Sequence, residues 1–473
     1  MTPRQTAHPA SAAPRRWALP TWGRGFWIVM GAALLVRLAA VLWLRDTIPY
    51  SDYFYYHEAG RMQAEDPGFF FRHETVVRFG KLNWWPPGYP MFLAVLYSIA
   101  GPNFRVAVFL QVLLGVATCM LVYAIGERIG GRRVALSAAG LVALDPTFIF
   151  TTNLIASENL FAPLLALGLW GVGRAAALWT TPAARAAGAG TAMRGAILRH
   201  AIPVGIGLAL ATLVRAIGLC LPWIAAMWLY RSAPRPLWGR TAALGILGGF
   251  FLALAPWTAR NAVVAGSPAL VCFGGGLNFY FGHNPGPLGY RELGSTPLAG
   301  LKDAACIDRR GYQEGLAFIA RDPLGVLTRA ASKVVALFAP PTYALHANSA
   351  ILLPDPSANP ELAGEAAALR ARQQRKDAAL HGPLAVLAAV HSYLLLVAAL
   401  LALVRRVPQR IPELRFLTAV VVVWIGAHAL FWAQPRFRYP LEIPMSLLAA
   451  AAFPAIAQDP DSGRRHRRVT IAP

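Results

Sequence analysis

Between Pro383 and Val404 the chain reads PLAVLAAVHSYLLLVAALLALV, a run of 22 residues with no Asp, Glu, Lys or Arg. At about 1.5 Å of rise per residue such a helix is roughly 30 Å long, which is the thickness of a bilayer's hydrocarbon core. The run ends on Arg405 and Arg406, so its charge begins where its apolar stretch stops. A second stretch, 105–125, has the same form, with Arg105 at one end and the next charges at Glu127 and Arg128. These two stretches decide the class of the whole: a chain that crosses a membrane several times.

Apolar runs occur near 26–44, 105–125, 133–150, 156–173, 200–214, 216–230, 241–258, 383–404, 415–432 and 438–456. The reading is an all-α polytopic membrane protein of about ten transmembrane helices, with about eleven to thirteen as the alternative. The composition fits lipid as the main solvent, being 56% hydrophobic and only 14% charged over 473 residues. A formal net charge of +22 raises the question of nucleic acid. The charge lies instead in short loops: Arg128, Arg132 and Arg133, then Arg174 to Arg199, Arg231 to Arg240, Arg405 to Arg415, and Arg464 to Arg468. Alternation places all of them on the side of the basic N-terminus, which is the cytoplasmic bias of membrane proteins rather than a nucleic-acid surface. The expected layout is a cytoplasmic tail over 1–25, a membrane domain over 26–456 and a second cytoplasmic tail over 457–473. Arg4, Arg15, Arg16 and Arg24 before an apolar run resemble a signal peptide, but Arg37 interrupts the run and no small-residue cleavage site follows, so it is taken as a permanent span.

The same alternation turns outward a first loop over 45–104, a stretch around Asn153 to Glu158, the turn at Arg215, and a large insert over 259–382. Asn83 to Gly101 is apolar but opens on Trp-Trp-Pro-Pro-Gly-Tyr-Pro, and counting it as a span would turn every later arginine outward. It is expected to lie against the outer surface as a juxtamembrane helix, as is the amphipathic run 323–339. Cys272 and Cys306 fall in the outer insert, where unpaired thiols and a disulfide both remain open; no Cys or His spacing suits zinc. The run Gly274 to Gly276 lacks the lysine and spacing of a nucleotide loop.

Chemistry is expected at the outward loops. Asp52 follows the first span inside Tyr-Ser-Asp-Tyr-Phe-Tyr-Tyr-His-Glu-Ala. A carboxylate ringed by aromatic side chains at headgroup depth suits a general base, and alone it suits a helix cap as well. Glu158 after Ser157 reads as ordinary N-terminal helix chemistry until a second carboxylate at the same depth, Asp52, makes a shared site. Arg215, Arg260, Arg436 and Arg438 break the cytoplasmic bias by sitting at outward ends of spans. Each one singly fits a snorkelling side chain, while together their guanidinium forks suit a phosphate or pyrophosphate headgroup.

Several motifs in this order resemble the GT-C class of membrane glycosyltransferases, specifically the family 39 branch of protein O-mannosyltransferases and the bacterial aminoarabinose transferase of lipid A. They are Ser51-Asp52 with Tyr56 and Ala59, Pro86-Pro87-Gly88-Tyr89-Pro90, Ser157-Glu158-Asn159-Leu160-Phe161, Leu213-Val214-Arg215, and Pro256-Trp257-Thr258-Ala259-Arg260-Asn261. Gly275-Gly276-Leu277-Asn278 with Gly282-His283-Asn284-Pro285, and Arg436-Phe437-Arg438-Tyr439-Pro440, complete the set over about 30–450. The resemblance implies a GT-C fold and transfer of a sugar from a polyprenyl-phosphate donor to a hydroxyl of a glycan, lipid or protein at the outer face, with inversion. Asp52 is then the expected base and Glu158 its orienting partner. Arg260 and Arg438, supported by Arg215 and Arg436, are expected to hold the lipid phosphate, and Asn261, Tyr56 and Tyr89 to line the substrate site. Two departures stand out: Tyr53 where many relatives have a second acid, and His283 where the glycine motif often has Asn. The chemistry requires no cofactor and leaves a divalent metal open. The expected location is a bacterial plasma (inner) membrane with both termini cytoplasmic. A transporter or flippase of lipid-linked sugars is the competing class; it predicts ionisable groups near the midplane and matched halves, neither of which the sequence displays.

Overall fold

A computed structural model describes residues 22–44, 52–73, 83–181, 191–284, 296–301, 303–340 and 382–452, with isolated positions 368, 371 and 375. Both expected tails for the most part, Ser51, Pro285, the arginines of 464–468 and much of the insert lie outside the described residues.

Among the described residues every regular element is helical. In chain order they are α1 (Arg24–Trp43), α2 (Asp52–Glu65), α3 (Gly88–Ala100), α4 (Phe104–Ala143), α5 (Pro146–Thr151), α6 (Glu158–Ala177), α7 (Thr191–Val214) and α8 (Leu221–Ser232). Then follow α9 (Pro236–Val264), α10 (Gly275–His283), α11 (Ala304–Arg321), α12 (Gly325–Leu337), α13 (Pro383–Val404), α14 (Val407–Arg410), α15 (Pro412–Leu430) and α16 (Glu442–Ala451). Single 3₁₀ turns cover Phe69–Phe71, Leu178–Thr180, Ala216–Cys220 and Pro435–Leu441.

Seven helical segments among the described residues are long and apolar enough to cross a membrane: α1, α4, α6 with the turn that follows it, α7, α9, α13 and α15. The protein is thus an integral membrane protein. The expected runs 105–125 and 133–150 meet in α4, whose two arms are broken at Gly130 and Gly131. Gly131 has φ 76°, a left-handed conformation that glycine adopts without the Cβ penalty, and it turns the chain between the two arms. The run 216–230 and the described part of 438–456, as far as 452, appear as 3₁₀ turns followed by the short helices α8 and α16. α3 has 13 residues, about 20 Å at 1.5 Å per residue, short of the hydrocarbon thickness. The run 323–339 becomes α12, and α10 and α11 also arise within the insert.

Arg37, the charge inside the first apolar run, is fully buried. Its guanidinium donates to Ala143 O at 2.9 Å and Val142 O at 3.0 Å. It satisfies the last carbonyls of α4, which have no partner within their own helix, and so a charge in the core has a hydrogen-bonding reason to be there. The main core runs through α1, α4, α6, α7, α9, α13, α15 and α16, with α7 against α9 and α4 against α1, α6 and α16. α2 packs along α3, so the segment that begins at Asp52 is a helix laid on the bundle and not an open loop. His57 Nδ1 and the Tyr97 hydroxyl, 2.9 Å apart, tie the two together.

Candidate functional site

The loop 152–157 sets the site's depth. Its backbone carbonyls would be orphaned in the core, and buried side chains take them up. Gln111 Nε2 donates to Thr152 O at 2.8 Å and Leu154 O at 2.9 Å, and Asn159 Nδ2 to Thr151 O at 2.9 Å and Leu154 O at 3.1 Å. The Tyr89 hydroxyl in turn donates to Gln111 Oε1, which fastens α3 to the same loop. Tyr89 is fully buried, so its hydroxyl is spent on this framework.

At the end of that loop Ser157 and Glu158 open α6. Ser157 has helical φ/ψ and makes no cap hydrogen bond. Its Oγ instead accepts from Arg215 Nη1 at 3.0 Å and from the Tyr56 hydroxyl at 3.4 Å, and lies 3.4 Å from Glu158 Oε2. Arg215, at the break between α7 and the following 3₁₀ turn, bonds Glu158 Oε1 at 2.6 Å. Glu158 is buried and Arg215 nearly so, which makes this pair strong and well ordered. Burial, then the Asp52 carboxylate, push the Tyr56 hydroxyl above its ordinary range, so it stays a donor.

The second ion pair joins distant parts of the chain. Asp52, the first residue of α2, accepts from Arg436 Nη2 at 2.8 Å, 384 positions away. Both side chains are partly open, Asp52 at 24% and Arg436 at 19%. Arg436 belongs to the 3₁₀ turn Pro435–Leu441, whose backbone is held by the Trp424 indole, donating to Phe437 O at 3.1 Å, and by Tyr439 stacked on Phe148. The Phe437 ring faces both cations, with Arg436 Cζ 5.2 Å and Arg215 Cζ 5.7 Å from its centroid. Asp52, Glu158, Arg215, Arg436, Tyr56, Ser157 and Phe437 therefore form one group, two carboxylates each matched by one arginine.

Arg260 and Arg438 are differently placed. Arg260 is 6% exposed and sits inside α9, which runs on to Val264 past the expected boundary at 258 because no helix breaker intervenes before Gly266. Its guanidinium donates twice to Phe70 O, once at 2.7 Å, and to Asn83 Oδ1 at 2.8 Å and Asn261 Oδ1 at 3.0 Å. Asn261 Nδ2 bonds Ala269 O at 2.8 Å and Val271 O at 3.3 Å. Arg438, 2% exposed, donates to Glu442 Oε1 at 3.1 Å and more distantly to Leu337 O and Ala339 O. No hydrogen bond or ion pair links either arginine to Asp52 or Glu158.

Glycines 275 and 276 serve helix packing. Asp308 Oδ1 accepts from Gly276 N at 2.6 Å, and a Cβ on Gly276 would lie 1.8 Å from Asp308 O. All four cysteines are unpaired. No group of three His, Cys, Asp or Glu side chains suited to a metal occurs among the described residues. Sequence reading gave no role to Phe437, Asn83 or Glu442; only Glu442 left a signal, its i,i+4 spacing from Arg438.

With this geometry in view, residues 85–259 match the dolichyl-phosphate-mannose-protein mannosyltransferase family model. Over that segment the chain is similar to this family of mannosyltransferases. Similar solved structures include the Archaeoglobus fulgidus oligosaccharyltransferase with zinc and sulfate, at 15% identity and TM-score 0.45, covering 90% of this chain and 48% of that one. The archaeal enzyme AglB with an inhibitory peptide and a dolichol-phosphate aligns at 17% identity and TM-score 0.41, over 91% and 50%. ArnT from Cupriavidus metallidurans bound to undecaprenyl phosphate aligns at 14% identity and TM-score 0.36, over 91% and 78%. The chain thus spans about half the length of the archaeal enzyme. No curated protein sequence matches it.

Proposed function

We propose that the protein moves a sugar from a polyprenyl-phosphate donor to an acceptor hydroxyl at the outer face of the membrane, in the manner of the family 39 enzymes, with Asp52 as general base. The observation that carries this reading is the Asp52–Arg436 pair beside the Glu158–Arg215 pair: a partly open carboxylate within reach of a partly open cation. Of the four arginines expected at a phosphate, Arg436 retains the most access, and Arg215 lies against the same Phe437 ring. We assign the phosphate to these two, with Arg260 and Arg438 supporting it through the backbone they hold.

In the reaction the acceptor oxygen attacks the anomeric carbon and its proton passes to an Asp52 oxygen. The bond from that carbon to the phosphate oxygen breaks, and its electron pair leaves with the lipid phosphate. The phosphate gains one negative charge in this step, and the guanidinium groups beside it stabilise that charge as it forms. A single displacement inverts the anomeric centre. Glu158, saturated by Arg215 and Ser157, keeps Arg215 oriented. The ten-span arrangement, with both termini cytoplasmic in a bacterial inner membrane, is supported by the one-sided placement of the basic loops. The family description supports a lipid-phosphate sugar as donor; the acceptor is a hydroxyl of a glycan, lipid or protein.

The test is transfer from radiolabelled polyprenyl-phosphate sugars in membranes that contain the wild type or Asp52→Asn. Transfer is expected in the wild type and its loss in the variant. Undiminished transfer in the variant would remove Asp52 as base. Movement of donor across the bilayer without transfer would favour the flippase.

A further inference from the structure

The Asp52 carboxylate that takes the proton is paired with Arg436, whose Nη2 donates to Oδ2 at 2.8 Å. While that bond stands, the guanidinium and an acceptor hydroxyl compete for the same carboxylate. Arg436 is at the same time the most accessible cation for the donor phosphate, so one side chain serves two anions. Its surroundings allow it to change partner without moving the backbone. The turn is fixed by Trp424, by Tyr439 on Phe148 and by the buried Arg438–Glu442 pair, while the Arg436 side chain extends into partly open space over Phe437. The neighbouring pair differs: Glu158 and Arg215 are closer, deeper and joined through Ser157, which suits a fixed support.

We propose that the Asp52–Arg436 ion pair is a latch released by the donor: the phosphate of the lipid-linked sugar takes Arg436, and only then is Asp52 free to accept the proton of the acceptor hydroxyl. This rests on the reading of the site as one for a polyprenyl-phosphate sugar, and adds an order to it, donor before activated acceptor. It also closes the cycle. After transfer Asp52 carries the acceptor's proton and Arg436 holds the lipid phosphate. When that product leaves, the proton passes to water, Arg436 returns to Asp52 and the base is restored.

The latch makes a carboxylate compete with phosphate for one cation, and that competition is measurable without an acceptor. The probe is undecaprenyl phosphate carrying no sugar, bound to the full chain in lipid nanodiscs. Asp52→Asn is expected to bind it about five-fold tighter than the wild type, the worth of a partly exposed ion pair no longer to be broken. Arg436→Gln is expected to bind it about ten-fold more weakly, for a charged hydrogen bond lost. In the Arg436→Gln background, Asp52→Asn is expected to change little, since there is no shared cation left. Unchanged or weaker binding by Asp52→Asn overturns the latch, as does equal tightening in both backgrounds, which would be plain charge repulsion. In either case Arg436-dependent binding leaves the functional reading standing. Absence of any binding to the wild type overturns the functional reading and the latch with it.

Discussion

Arg260 offers a sharp test because its sequence position suits a phosphate and its observed contacts suit a hinge between segments. Four of its five N–H groups are committed, two to Phe70 O, one to Asn83 Oδ1 and one to Asn261 Oδ1. Arg260→Met keeps most of the apolar volume over Trp257 and removes all four bonds. A hydrogen bond from a charged group contributes about 1.5–3 kcal/mol, and the bonds share acceptors, so they do not add in full. Relief of the guanidinium's own desolvation offsets part of the loss, which leaves an expected destabilisation of about 3 kcal/mol. The assay pairs denaturant unfolding in mixed micelles with undecaprenyl phosphate binding measured well below the transition. Lower stability with affinity within about two-fold of the wild type is expected, since 0.4 kcal/mol or so separates such values. Stability within ~0.5 kcal/mol of the wild type together with collapsed affinity would make Arg260 a phosphate ligand and not a structural clamp.

Three further outcomes follow from single contacts. Arg215→Gln strands the buried Glu158 carboxylate and is expected to cost about 3–5 kcal/mol, while Arg215→Gln with Glu158→Gln costs less than the two single changes summed; additive costs in a double-mutant cycle would show that the 2.6 Å pair is not coupled. Gly276→Ala drives a Cβ into Asp308 O and is expected to open α10 from α11, seen as faster proteolysis within 304–321; Gly140→Ala, with nothing within 4 Å, serves as the neutral control. Burial and the Lys333 ammonium lower the His283 imidazole from 6.5 to about 4. The unfolded chain therefore takes up a proton that the folded chain refuses between those values, and stability falls as pH drops from 6.5 through 4, by up to ~1.4 kcal/mol per unit. His283→Phe should flatten that decline in unfolding measured between about pH 7 and pH 4, and an unaltered slope would assign it to another group.

The seven long apolar segments among the described residues were legible because lipid imposes a length and an exclusion of charge that a single run such as Pro383–Val404 displays by itself. The break in α4 was harder to read. Gly130-Gly131 stands between basic residues that already look like a loop, and only φ/ψ shows that the two arms adjoin with no linker. At the site, Asp52 and Arg436 could each be singled out by type and position, yet nothing in a sequence pairs residues 384 positions apart. Ser157 had the form of a helix cap; its hydroxyl turns to Arg215 and Tyr56 because that guanidinium, two helices away, offers the stronger bond. Arg260 and Arg438 were expected to hold the lipid phosphate, and the acceptors found for them are backbone and side-chain oxygens of the fold. Access to a ligand depends on what has already claimed the donors, and that is a property of packing.

The roles of Asp52 as base and Arg436 as donor ligand are decided by steady-state transfer with a defined polyprenyl-phosphate sugar, comparing Asp52→Asn with Arg436→Gln on the same purified chain. Asp52→Asn is expected to bind donor yet lose turnover by at least about 10²-fold, the usual worth of a general base. Arg436→Gln is expected to show a raised KM for the donor and a reduced kcat. Turnover by Asp52→Asn at the wild-type rate removes Asp52 as base, and a donor KM unmoved in Arg436→Gln removes Arg436 as the phosphate's ligand.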